Sequence, residues 1–124
     1  MKWTKIEVRT ASRTQFVDIT DLVAGELAKS AVKTGVCYVY MTHTTAGLTI
    51  NENADPDVPR DILAGLARLV PEKGNYRHAE GNSDAHIKAS LMGSSLMVPV
   101  IDGRLAPGTW QALFARSMGW GIGM

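Results

Sequence analysis

The sequence predicts an α+β fold, a mainly antiparallel sheet accompanied by about three helices, and three observations lead to it. Apolar side chains recur at helical spacing over residues 22–32 and 58–70. Runs rich in β-branched and aromatic residues, VCYVYMT at 36–42 and SLMVPVI at 95–101, have the composition of strands. The two kinds of segment follow one another without the regular βαβ rhythm of a doubly wound sheet.

Taken in order, residues 3–9 set Trp3, Ile6 and Val8 in an imperfect apolar–polar alternation, which predicts a half-buried strand. A turn over 11–14 leads to a short second strand near 15–19. Leu22, Val23, Leu27, Ala31 and Val32 form the stripe of a first helix, with Thr20 as its cap and Gly35 as its stop. Residues 36–42 follow as a central strand, and 48–51 as a further strand after a turn at Ala46 and Gly47. A second helix starts after Pro56, aligns Val58, Ile62, Leu63, Leu66, Leu69 and Val70, and ends at Pro71. Residues 71–82, rich in glycine and asparagine, are irregular. Ser83 is placed to cap a short third helix that turns Ile87 and Leu91 inward and stops at Gly93. A strand over 95–101, a hairpin-type turn at Asp102 and Gly103, and a last strand over 109–114 complete the set.

A chain of 124 residues fits one domain spanning 1–124, with room for a core that needs no disulfide. Its 13 basic and 12 acidic side chains are scattered and leave a net charge of +1, so no electrostatic footprint for nucleic acid is present. The single cysteine, Cys37, lies in an apolar run and reads as a small buried hydrophobe rather than a nucleophile. No basic leader opens the chain and no apolar run reaches membrane-spanning length, so a soluble, cytoplasmic protein with no membrane partner is expected.

All three histidines fall inside two dense polar motifs. His43 opens HTTAGLTINENADPDV at 43–58, and His78 and His86 bracket HAEGNSDAH at 78–86. Neutral imidazole is the commonest zinc ligand, and three imidazoles with an open fourth position would make a reactive metal site. Three separate hydrogen-bonding histidines are the plain alternative. Glu52, Glu80 and Asp84 are candidate catalytic groups, as a general base or as partners that orient the histidines. Helix capping at Ser83 would put His86 in a first turn, where free N–H groups attract phosphate. Met92–Gly93–Ser94–Ser95 offers a glycine turn with two hydroxyls that could cradle a phosphate, or simply a helix stop. Gly108–Thr109–Trp110–Gln111 could lay an aromatic face and an amide against a ligand, or pack Trp110 into the core. Calcium is excluded, because Glu52, Asp55 and Asp57 lack the spacing and glycine of an EF-hand loop.

These segments together resemble the YjbQ-like family, an uncharacterised protein family (number 0047) also called secondary thiamine-phosphate synthases. The matching pieces are HTTAGLTINENADPDV at 43–58, HAEGNSDAHIKASLMGSS at 78–95, and the run from Ser95 through Val98, Pro99, Val100 and Gly103 to Gly108–Thr109–Trp110–Gln111. The resemblance implies a homotrimer with sheets packed around a threefold axis and the histidines near a subunit boundary. It implies a candidate transferase activity, joining hydroxymethylpyrimidine diphosphate to thiazole phosphate to give thiamine phosphate and pyrophosphate. In that reading His43, His78 and His86 hold a divalent metal, zinc by donor chemistry, with magnesium an option for a diphosphate substrate. Thr44, Ser94 and Ser95 would contact phosphate, Trp110 and Gln111 the pyrimidine, with Asn51 and Asn82 among the substrate contacts. A non-catalytic metal- or phosphate-ligand-binding trimer and a hydrolase using zinc-bound water are the alternatives.

The carboxyl end departs from the resemblance. Relatives continue after GTWQ with an aromatic strand, an acidic-glycine-proline-arginine turn and a final strand, whereas this chain reads ALFARSMGWGIGM. A shift of reading frame near residue 115, with the closing strand altered or truncated after about 114, is the expectation. Resequencing the gene tests it, since an intact family-like strand must then lie downstream in another frame.

Overall fold

The computed structural model describes residues 3–12 and 14–117. Their elements run β1 (Gln15–Asp18), α1 (Thr20–Ser30), β2 (Gly35–Tyr40), β3 (Ala46–Glu52), α2 (Asp57–Leu69), α3 (Ser83–Met92), β4 (Ser95–Ile101), β5 (Arg104–Leu105) and β6 (Gln111–Ser117). The strands form two antiparallel sheets, ordered β1-β6-β3 and β2-β4-β5. The α+β class is as predicted.

Because successive side chains point to opposite faces of a strand, register decides what is buried. In the first sheet Val17 and Leu48 flank Ala115, and Ile50 opposes Leu113. In the second, Cys37 opposes Val98 and Val39 opposes Leu96. These residues join one core with Met41, Ile19 and, from α1, Val23. Cys37 is half-buried there, and burial pushes its thiol up from the ordinary value, consistent with a packing role.

Several elements differ from expectation, each for a physical reason. Residues 3–10 form no strand, because among the described residues they pair with no neighbour; Val8 is buried without one. Among the described residues β2 is an edge strand bonded to β4 alone, and its aromatic residues face outward, with Tyr38 70% exposed. Ala46 and Gly47 open β3 instead of making a turn. Thr20 is the first helical residue of α1, not its cap. The carboxylate of Asp18 takes its place, accepting from the Thr20 amide at 2.9 Å and its hydroxyl at 2.6 Å. α1 ends on Ala31 in the left-handed region (φ 61°), which leaves Gly35 to open β2. α2 half-buries Val58, Ile62, Leu63 and Leu66 of its predicted stripe, whereas Leu69 is 76% exposed and none of its residues is fully buried.

α3 turns the opposite way from the prediction. Asn82 precedes it, Ile87 and Leu91 face solvent, and Asp84, Ala85, Lys88 and Ala89 are the buried residues. The last strand starts two residues later than expected and runs on to Ser117 in the middle of its sheet, with residues 115–117 in register against both neighbours. The rest of the segment expected to depart from the resemblance, 118–124, lies outside the described residues. Among the described residues no helix is long and apolar enough to cross a membrane.

Candidate functional site

Where the two sheets meet, three segments cross. β2 ends at Tyr40, residues 41–45 carry the chain over to β3, and α3 hands on through Gly93 and Ser94 to β4. Two backbone bonds hold the crossing: the Met41 amide donates to the Ser94 carbonyl at 2.7 Å, and the Leu48 amide to the Gly93 carbonyl at 3.0 Å. Gly93 sits at φ 100°, ψ 165°, a conformation open in practice only to glycine, so the abrupt exit from the helix depends on it. Gly47 allows the close approach, since a Cβ there would stand 2.9 Å from the Met92 Cβ and 3.1 Å from the Gly93 carbonyl oxygen.

This crossing frames a cleft of about 410 Å3, within the range of small-molecule sites. His43 and Thr44 reach it from the connection, His86 and Ser90 from α3, and Ser94 from the turn. The Ser90 hydroxyl donates to the His86 carbonyl at 2.9 Å. His78 stands behind His86, edge to face, with ring centroids 5.4 Å apart. Its Nε2 lies 3.8 Å from a carboxylate oxygen of the exposed Glu80. The predicted grouping of His43, His86, Thr44 and Ser94 is therefore present in one chain, with His78 and Glu80 adjacent to it.

The other predicted site residues lie elsewhere. β3 runs from Ala46 to Glu52, so Asn51 and Glu52 sit about 20 Å along the strand from the end nearest His43. Gln111 pairs with Glu52, and the Asn53 amide donates to the Trp110 carbonyl, which places Trp110 and Gln111 at that same far end. The Gln111 side-chain oxygen accepts from the Gly108 amide at 2.7 Å, closing its own turn. Ser95 faces outward opposite Tyr40 and does not line the cleft. Asn82 sits at the start of α3, its side-chain oxygen buried without a hydrogen-bond partner. Asp84 is 1% exposed and bonds the Lys88 ammonium at 2.9 Å. None of the three candidate carboxylates lines the cleft.

The expected helix N-terminus is not part of the cleft either. α3 contributes its middle and its carboxyl end, and the Ala85 and His86 amides donate to the Asn82 carbonyl. Among the described residues, no group of three or more His, Cys, Asp or Glu side chains is close enough to hold a metal ion. His43, His78 and His86 form no such group within the described residues of one chain. Tyr40, Thr42 and Ser90 line the cleft without having been singled out from sequence. Ser90 carried a usable signal, one helical turn after His86.

Comparison with known proteins bears on the whole of this architecture. A model of the family described as UPF0047 protein YjbQ-like matches residues 4–118. A UPF0047 protein of Methanocaldococcus jannaschii is 48% identical over 110 residues, covering 89% of this chain and 80% of that protein. The UPF0047 protein YugU of Bacillus subtilis is 44% identical over 110 residues, covering 88% and 83%. A crystal structure of an uncharacterised YjbQ/UPF0047 protein from Clostridium acetobutylicum superposes with a TM-score of 0.90 at 50% identity, covering 92% of this chain and 88% of that one. A protein of unknown function from Sulfolobus solfataricus superposes at 0.89 with 32% identity, covering 95% and 86%. With helices, sheets and motifs matched over nearly its full described length, the chain belongs to the UPF0047 YjbQ-like family.

Proposed function

We propose that the chain is a small enzyme acting on a phosphorylated heterocycle at the His43–His86 cleft, with thiamine phosphate synthesis as the candidate reaction. In that reaction the thiazole nitrogen forms a bond to the methylene carbon of hydroxymethylpyrimidine diphosphate, and the carbon–oxygen bond to pyrophosphate breaks. The observation that carries this reading is that two imidazoles and the hydroxyl-bearing residues Thr42, Thr44 and Ser94 line one cleft. Hydroxyls and imidazole N–H groups donate to phosphate oxygens, and a leaving diphosphate needs such donors as its charge develops. With no carboxylate among the described residues that line the cleft, proton transfer falls to His43 and His86 in this reading.

Metal and self-association belong to the same proposal. Zinc bound by His43 and His86 would need a further donor from outside the described residues of one chain; magnesium would enter with the diphosphate. Added metal should then tighten pyrophosphate binding measured by calorimetry, and unchanged binding removes metal from the reading. A homotrimer is the assembly we propose, formed through the apolar outer face of the β2-β4-β5 sheet.

The test is pyrophosphate release from the pyrimidine diphosphate, with and without thiazole phosphate. Release that requires both substrates, and falls about 100-fold in His86→Ala with the fold intact, is the expected result. Binding of pyrophosphate without any turnover would favour the second reading, a non-catalytic phosphate-ligand-binding protein. That reading draws on the absence of a carboxylate base among the cleft-lining residues.

A further inference from the structure

We infer that Asp84 and Lys88 are positioning residues for the cleft: their buried ion pair sets the rotation of α3 about its axis, and with it the placement of His86 and Ser90. The inference rests on the functional reading of the cleft given above.

The helical wheel of α3 divides into three sectors. At about 100° per residue, Asp84, Lys88, Met92, Ala85 and Ala89 fall in one arc, and His86 and Ser90 in the next, about 200–240° round from Asp84. Ile87 and Leu91 occupy the remaining arc and face solvent. The first arc is the one seated on the sheet, since α3 packs chiefly on β3 and its Met92 meets Gly47. The second arc lines the cleft, together with Ala89 at the edge of the first.

What holds the first arc in place is unusual for a buried helix. Its apolar contacts are two alanines and the partly buried Met92, while the large apolar residues of the helix point away. Alanine faces are smooth and fix rotation weakly, because no large side chain interlocks with the sheet. Asp84 and Lys88, 1% and 4% exposed, are the bulky groups in the contact, and they bond each other at 2.9 Å. Buried charges tolerate only arrangements in which both remain paired, so they penalise rotation more sharply than methyl groups do. Such pairs contribute little net stability, and their best-attested use is to specify one arrangement over its neighbours.

A small rotation has a large effect at the cleft. With side chains extending about 5–6 Å from the helix axis, a turn of about 20° would carry the His86 ring by about 2 Å. That is enough to break a hydrogen bond to a ligand and to separate His86 from the His78 ring behind it. The spacing Asp-x-His-x-Lys in 84–88 thus has a reason: the pair faces the sheet, and the imidazole between its members faces the opposite way into the cleft.

The test uses the double variant Asp84→Leu/Lys88→Met, which removes both charges of the pair together. Two readouts are taken on full-length protein: calorimetric affinity for inorganic pyrophosphate, and the nuclear Overhauser contact between the His78 and His86 rings in histidine-labelled protein. The expected result is a folded protein with wild-type thermal midpoint, pyrophosphate binding weakened about tenfold or more, and a lost or altered ring contact. Lys88→Arg, which keeps the pair, is expected to retain the ring contact and most of the affinity. A double variant with wild-type affinity and an intact ring contact overturns the inference, and so does one that fails to fold, since the pair would then be a requirement of folding. Should wild-type protein not bind pyrophosphate, the functional reading fails, and the ring contact in the double variant still decides this one: lost, it supports the positioning role; retained, it removes it.

Discussion

Thr20 shows how a single side chain can serve two elements. Its hydroxyl donates to Asp18 at 2.6 Å and accepts from the amide of Leu113 at 2.9 Å, tying the start of α1 to β6. Leu113 is fully buried, so its amide has no water to turn to if the hydroxyl is removed. Thr20→Val is therefore expected to destabilise the protein by about 1–3 kcal/mol, read as a lower urea midpoint at unchanged slope. Gly47 acts through what it lacks. In Gly47→Ala the new methyl would meet the Met92 Cβ and the Gly93 carbonyl of a tightly turned segment, neither of which is the free end of a flexible chain. A loss of about 1–3 kcal/mol is expected, together with weaker ligand binding because the cleft wall is displaced. Sequence alone pointed to a polar side chain at the start of α1, but the distant partner at Leu113 leaves no local trace.

At the scale of elements, legibility followed the size of the buried side chains. α2 and the β4 run were read correctly because large apolar residues mark them at regular spacing. α3 was placed correctly along the chain and rotated wrongly, since its buried face consists of alanines and an ion pair while Ile87 and Leu91 lie outside. The site divided in the same way. Sequence grouped all three histidines, of which His43 and His86 line the cleft, but the continuity of TINEN with the histidine motif concealed that β3 carries Glu52 to its far end. That end has its own pH signature. Burial alone would raise the Asp18 carboxyl, but hydrogen bonds from the Thr20 hydroxyl and amide and from Asn53 outweigh it and hold the group below its ordinary value. A depressed carboxyl contributes stability that is present above its unfolded value of 3.8 and is lost as pH falls through the lower folded value. Acid unfolding should therefore steepen below about pH 4, and Asp18→Asn should flatten that part of the profile, as followed by circular dichroism.

On the scale of the molecule, the outer face of the β2-β4-β5 sheet is an apolar surface that the described residues leave uncovered. Register sets Val36 beside Pro99 and Tyr38 beside Met97, with Tyr40 beside Ser95, and each of these residues is exposed. An aromatic and aliphatic ribbon of this kind is uncommon on a surface that faces only water. Its composition matches the buried centre of protein interfaces, enriched in tyrosine and methionine and poor in charge. The ribbon also runs into the site, for Tyr40 both closes it and lines the cleft. A copy of the chain seated there would cover the apolar strip and narrow the cleft mouth in one step, which gives the proposed homotrimer a physical reason. Tyr38→Asp would place a charge at the centre of that contact, where desolvation makes it costly, while leaving the inward residues Cys37 and Val39 in place. Light scattering after size exclusion is expected to give three times the chain mass for the wild type and a smaller species for Tyr38→Asp, with the helical and strand signal of the circular dichroism spectrum retained. A wild-type protein that elutes at the mass of one chain would remove the trimer, and the ribbon would then have to be covered by a different partner.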